Sequence, residues 1–205
     1  MVQTLVFIGF MVVSYLIGCF STARLIAKSF KSLNIYKVGS GHPDTENIYC
    51  NISKSLGILA GIVDFGKMFV YLLFLKLLLE NFYPAISTQN HLLVLGFAMV
   101  VGHCIPVTNK FKGGRGIFTY LGFISFFFFT YYTILPMIVV AFLAILVVVV
   151  FKQIRFAQYM IVLLPPFISF FLKGNEGSYF PMKMFLSAIL MGIINFFVSK
   201  RLGEL

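Results

Sequence analysis

The sequence predicts an all-α, polytopic integral membrane protein that forms a single domain over residues 1–205, and three observations predict it. First, 60% of the residues are hydrophobic and only 11% are charged, which leaves too few polar side chains to solvate the surface of a soluble globule. Second, the apolar residues gather into runs that approach the ~20 residues needed to cross a bilayer. Third, the basic residues behind the formal charge of +10 lie in short connections between those runs. That is the positive-inside pattern, so the charge points to an anionic lipid surface or a phosphate substrate as partner, and not to nucleic acid.

The runs fall at about 4–23, 56–79, 91–108, 117–134, 135–151, 157–172 and 181–198, which predicts about seven transmembrane helices. The first run lacks a basic region before it and a small-residue cleavage site after it, so it reads as a retained helix. The apolar stretch 117–151 is too long for one ordinary span, and Pro136 supplies the break between two helices. Lys76 lies near the end of its span, where its stem is expected to snorkel to the interface. His91 opens the following span as a capping or interfacial residue.

Orientation follows from the cations. Arg24, Lys28, Lys31, Lys37 and Lys54 flank the first loop, Lys110, Lys112 and Arg115 the third, Lys152 and Arg155 the fifth, and Lys200 and Arg201 the C-terminus. The other side holds only Lys173 and Lys183 outside the spans. The expected topology therefore has the N-terminus outside and the C-terminus and glycine-rich loops in the cytoplasm. No internal repeat is visible, which counts against a repeat-built transporter.

Cys19, Cys50 and Cys104 show neither C-x-x-C spacing nor a Cys/His cluster, so neither a disulfide framework nor a metal site is expected. H-E-x-x-H and G-x-S-x-G patterns are absent, and Ser40 has no visible triad. The polar information sits in two loops and one span. In Val38-Gly39-Ser40-Gly41-His42-Pro43-Asp44-Thr45-Glu46-Asn47, glycines leave room for backbone N–H groups to converge on an anion, although a plain polar turn has the same composition. In Gly102-His103 to Gly116, Lys112 and Arg115 flank Gly113-Gly114 just before an apolar helix. Cations, backbone donors and a helix N-terminus would meet one phosphate there; the alternative is a set of interfacial anchors. Asp64 and Lys67 stand three residues apart inside a span, hence on one helical face, either as functional groups or as a structural ion pair.

The order and spacing of these residues resemble the bacterial acyl-phosphate:glycerol-3-phosphate acyltransferases of the PlsY type. The likeness covers nearly the whole chain: Gly18 to Lys28 closing the first helix, the Gly39-Ser40-Gly41 loop, Gly57-Ile58-Leu59, Asp64-Phe65-Gly66-Lys67, and Gly102-His103 through Thr119. The chain departs from the family pattern at Cys50, where an Arg is usual, at Glu46, where a Thr is usual, and at His42 and Asp44. The C-terminal motif is reduced to Asn195, Arg201, Leu202, Gly203 and Glu204.

The resemblance implies transfer of a fatty acyl group from acyl phosphate to the 1-hydroxyl of glycerol 3-phosphate, giving lysophosphatidic acid without a cofactor, in the inner membrane of a bacterial cell. It implies catalytic roles for Ser40, His103 and Lys112, and phosphate contacts from Gly39, Gly41, Asn47, Gly113, Gly114 and Arg115. Asp64 and Lys67 would brace the inner helix. The alternatives are a non-catalytic relative that binds a phosphorylated lipid or partner, and an anion or lipid transporter.

Overall fold

The computed structural model describes residues 2–172 and 179–201, and among these there is no strand. Lys173, Leu202, Gly203 and Glu204 lie outside the described residues. The α-helices in chain order are α1 (Val2–Gly18), α2 (Thr22–Lys31), α3 (Thr45–Asn51), α4 (Lys54–Phe82), α5 (Gln89–Cys104), α6 (Ile117–Tyr131), α7 (Leu135–Leu146), α8 (Ile154–Ser169) and α9 (Phe180–Arg201). Every predicted apolar run contains a helix. Four helical stretches are long and apolar enough to cross a membrane: Val2–Lys31, Lys54–Phe82, Gln89–Asn109 and Phe180–Arg201. Ile117–Tyr131, Leu135–Phe151 and Ile154–Ser169 are shorter apolar helices.

Two differences from the expected layout shape the site. The first run does not continue to residue 23: α1 ends at Gly18, and Ser21 starts α2 afresh by accepting a hydrogen bond from Arg24 N. Thr22, Ala23, Ile26 and Ala27 form the buried stripe of α2, whereas Leu25 and Phe30 are exposed beside its basic residues. Likewise, the long polar loop carries α3, seven residues started by Asp44, whose Oδ1 accepts from Asn47 N at 2.9 Å. Pro136 does lie at the expected break, in the first turn of α7, where its missing N–H costs nothing. His91 follows Thr88, whose hydroxyl caps α5 and lies 2.7 Å from His91 Nδ1. Lys76 is paired to Glu80 at 2.6 Å.

Helices approach closely where side chains are missing. A Cβ on Gly18 would stand 2.1 Å from Met99 O, and one on Gly102 would stand 2.0 Å from Tyr15 O, so α1 and α5 cross through reciprocal glycines. Gly122 does the same for α6 against Phe65 of α4. The core is built around α6, where Tyr120, Phe123, Phe126, Phe127 and Phe128 are fully buried. Phe123 and Phe126 each meet Phe127 edge to face at 5.2 Å, a favoured arrangement for ring quadrupoles. Large apolar side chains such as Val70, Phe74, Phe142, Phe167 and Phe197 point outward, which suits lipid as the surrounding solvent.

Prolines 165 and 166 sit inside α8, and one carbonyl of that turn, Pro166 O, receives Ser169 Oγ at 2.6 Å. Beyond α7 the chain makes a π-helical turn, Val147–Phe151, before Lys152 reverses it with φ 57°. All four basic groups gather toward one end of the bundle. Tyr36 donates to Lys112 O, Arg201 donates to Phe111 O, and Ile154, just past Lys152, lines the same cavity as Arg115.

Candidate active site

Loop one is organised by Asn47. Its Nδ2 donates to Val38 O at 2.9 Å and His42 O at 2.8 Å, and its Oδ1 accepts from Ser40 N at 3.3 Å and Asn51 Nδ2 at 3.0 Å. Gly39, with φ 55°, has room for no side chain, because a Cβ would lie 2.3 Å from both Asn47 Oδ1 and Asn51 Nδ2. Asn47 is buried and spends its amide on shaping the loop; Gly39 and Ser40 are exposed at its tip.

Loop two packs directly on loop one and on the end of α5. A Cβ on Gly113 would meet His103 O at 2.3 Å, and one on Gly114 would meet Asp44 Cβ at 2.9 Å and Pro43 O at 3.0 Å. His42 Nδ1 lies 3.3 Å from Gly113 O, tying the loops together. The paired glycines thus bring two segments about seventy residues apart into backbone contact. Between them Arg115 is buried, with NH1 2.5 Å from Glu46 Oε2 and 3.8 Å from Asp44 Oδ2. Lys112, three positions earlier, is exposed.

Below the loops lies a buried polar cluster. Lys67 Nζ is 2.6 Å from Asp64 Oδ1, 3.2 Å from Phe20 O, 3.2 Å from His103 Nδ1 and 3.5 Å from Thr22 Oγ1, so its three ammonium protons are fully used. Thr22 Oγ1 donates to Asp64 Oδ1 at 2.7 Å, so the start of α2, the middle of α4 and the end of α5 share one network. With Nδ1 accepting from Lys67, His103 carries its proton on Nε2, the nitrogen that faces Asp64 Oδ2 at 4.0 Å and the Gly114 backbone.

These groups cap a cavity of about 580 Å³. Its head is polar, lined by Asp44, Thr45, Glu46, Asp64, His103 and Arg115. Its tail runs between α4, α6, α7 and α8, with Ile62, Leu121, Ile145 and Val148 among its walls. Of the sequence-derived site residues, His103, Arg115 and Asp64 line the cavity; Lys67 backs it from the polar cluster, and Gly113 and Gly114 hold its rim. Ser40, Gly39, Gly41, Asn47 and Lys112 do not line it. Asn195 bonds back to Met191 O in its own helix.

Two residues of the site were not singled out from the sequence. Thr22, already noted, is one. Gln158 of α8 is the other: it donates to Glu46 Oε2 at 2.6 Å and belongs to the cavity wall. Its signal was a lone amide in an apolar run.

The burial of Cys104 and the exposure of Cys50 separate the thiols near the site. The Cys50 thiol is pushed up from its ordinary pKa by desolvation first, then by the Glu46 and Asp44 carboxylates, with Arg115 pulling the other way.

Residues 8–201 match the family model for glycerol-3-phosphate acyltransferase. Among curated relatives, the glycerol-3-phosphate acyltransferase of Anaplasma phagocytophilum (strain HZ) is 32% identical over 118 residues, 58% of this chain and 58% of that protein. That of Exiguobacterium sibiricum is 35% identical over 117 residues, 57% of this chain and 53% of the relative. The chain therefore spans little more than half the length of the curated relatives it matches. The fold is similar to the crystal structure of PlsY, an integral membrane glycerol 3-phosphate acyltransferase, in its glycerol 3-phosphate form, with a TM-score of 0.73 and 22% identity. That likeness covers 95% of this chain and 88% of the other. By the match over residues 8–201, the chain belongs to the glycerol-3-phosphate acyltransferase family.

Proposed function

We propose that this protein transfers a fatty acyl group from acyl phosphate to the 1-hydroxyl of glycerol 3-phosphate, releasing lysophosphatidic acid and inorganic phosphate. The observation that carries this reading is the cavity: a charged head under two glycine loops, continuous with an apolar tail of the kind that takes an acyl chain. Acyl phosphate is already activated, so the protein has to align hydroxyl and carbonyl and stabilise charge. The hydroxyl oxygen attacks the acyl carbon, the bond from that carbon to the phosphate oxygen breaks, and the leaving phosphate takes the hydroxyl proton.

In this reading Arg115 binds a phosphate at the cavity head, and Lys112, outside it, collects anionic substrate from solution. Gly113 and Gly114 let the loops close around the headgroup, and Asn47 holds the facing loop in shape, with Gly39, Ser40 and Gly41 at its tip outside the cavity. His103 presents its Nε2 proton to the reacting oxygens, with Asp64 and Lys67 fixing its tautomer. The membrane topology that goes with this mechanism has seven spans, the N-terminus outside and both loops in the cytoplasm of a bacterial inner membrane, where the soluble dianion is found.

A second reading, a non-catalytic relative that binds a phosphorylated lipid, draws on Arg115 being already paired to Glu46. Expression in cells that lack their own acyl-phosphate acyltransferase separates the two. Rescue of growth by the wild type, and none by Arg115→Gln at equal membrane level, supports catalysis; failure of the well-expressed wild type supports the second.

A further inference from the structure

Glu46 occupies the position at the cavity head where an anion is expected. Its Oε2 receives Arg115 NH1 at 2.5 Å and Gln158 Nε2 at 2.6 Å, so one carboxylate oxygen joins loop two to α8. Asp44 Oδ2 stands 3.8 Å from the same guanidinium nitrogen. The third carboxylate at the head, Asp64, is matched by Lys67. Among the described residues, two carboxylates therefore face one guanidinium, and a phosphate dianion brought to Arg115 would meet like charge at contact distance. Carboxylate and phosphate oxygens make the same kind of charge-assisted bond to a guanidinium, so Glu46 and a phosphate compete for one partner.

The two acids differ in their freedom to move. Asp44 is 5% exposed and its other oxygen caps α3. Glu46 has a longer arm, lies in the first turn of α3, and its side chain keeps 24% exposure. When Glu46 withdraws, Asp44 still faces Arg115, so the buried guanidinium keeps a counter-ion.

We propose that Glu46 is an internal competitor for the phosphate subsite, holding Arg115 together with Gln158 until a phosphate monoester displaces it. The bound phosphate thus replaces a carboxylate rather than water, which weakens affinity and favours ligands that bring two charges. Glu46 acts on binding of the phosphate substrate and not on the chemical step. This inference rests on the reading of Arg115 as a phosphate contact.

The test is titration of the full-length wild type, Glu46→Gln, Glu46→Thr and Arg115→Gln in nanodiscs with glycerol 3-phosphate and with inorganic phosphate. Kinetics with an acyl phosphate run alongside, and a thermal melt checks the fold of each variant. Gln keeps an acceptor for both of Glu46's donors, so that variant is expected to fold; Thr gives an independent neutral substitution. Both neutral variants should bind glycerol 3-phosphate about tenfold more tightly, equivalent to ~1.4 kcal/mol, with a matching fall in KM and kcat within about twofold. Binding by the neutral variants when the wild type binds nothing measurable supports the same competitor in a tighter form. Equal affinity in wild type and both variants, with binding abolished by Arg115→Gln, overturns the competitor and leaves the acyl-transfer reading standing. No binding by any of these proteins overturns both.

Discussion

Lys112 and Arg115 share one loop, but their surroundings differ: Lys112 is exposed, whereas Arg115 is buried between Asp44 and Glu46 at the cavity head. A buried fork that meets phosphate oxygens in the transition state is worth more than an exposed point charge. Arg115→Gln is therefore expected to cost about 2–4 kcal/mol of transition-state stabilisation, roughly 30- to 900-fold in kcat/KM. Lys112→Ala should act mainly through capture of the anion, raising KM by about two- to fivefold at low salt and far less at ~0.5 M salt. Steady-state kinetics of both variants at two ionic strengths checks the contrast, and equal losses independent of salt would contradict it. Cys50 reports on the same acids. Because desolvation, and after it Glu46 and Asp44, raise its pKa, a smaller fraction is thiolate at neutral pH than for an ordinary thiol, and iodoacetamide should react slowly. The pH profile of that reaction should bend above the ordinary thiol value, and Glu46→Gln should move the bend downward. A bend that does not move in Glu46→Gln would mean that this acid does not act on Cys50.

The helices depend on the membrane-protein device of close approach at glycine. Gly102→Ala pushes a Cβ into the backbone of α1 and is expected to destabilise the protein by about 1–3 kcal/mol, since neither backbone has room to yield. Gly9→Ala, with nothing within 4 Å of the new Cβ, is the control and should leave the melting temperature unchanged or slightly raised. Thermal melts in one detergent measure both; equal melting points would remove the α1–α5 crossing from the account. The apolar runs were legible as helices because lipid imposes length and composition together. The Asp64–Lys67 pair was legible because helical spacing alone puts the two on one face. Less legible was the division of the first run at Gly18, since α2 is only ten residues long and turns on a single Ser21 cap and a short buried stripe. Seven-residue α3 was hidden for a similar reason: it is held by the Asp44 cap and by Tyr49 packed on Gly57, not by periodicity. Gln158 could not be assigned a partner from the sequence, because its bond to Glu46 spans 112 positions and exists only once α8 folds against α3.

At the scale of the whole molecule, the two glycine loops, the start of α2 and the end of α9 converge on one end of the bundle, while the apolar tail of the cavity runs along α4, α6, α7 and α8, with the exposed side chains of Ile58, Ile62, Ile145 and Val149 at its outer edge. The proposed orientation puts that end in the cytoplasm. A cysteine introduced at Lys112 should then be protected from a membrane-impermeant thiol reagent in intact cells, and one at Gln89 should be labelled; the reverse pattern would invert the topology. In the proposed function the charged head of the cavity takes the phosphate and the apolar tail takes the acyl chain. The most direct measurement is therefore a transfer reaction with the purified wild type in liposomes, supplied with radiolabelled glycerol 3-phosphate and a long-chain acyl phosphate. Labelled lysophosphatidic acid and one inorganic phosphate per ester formed are expected, both lost in Arg115→Gln. Binding of glycerol 3-phosphate without labelled lipid, or phosphate release without ester, would contradict acyl transfer.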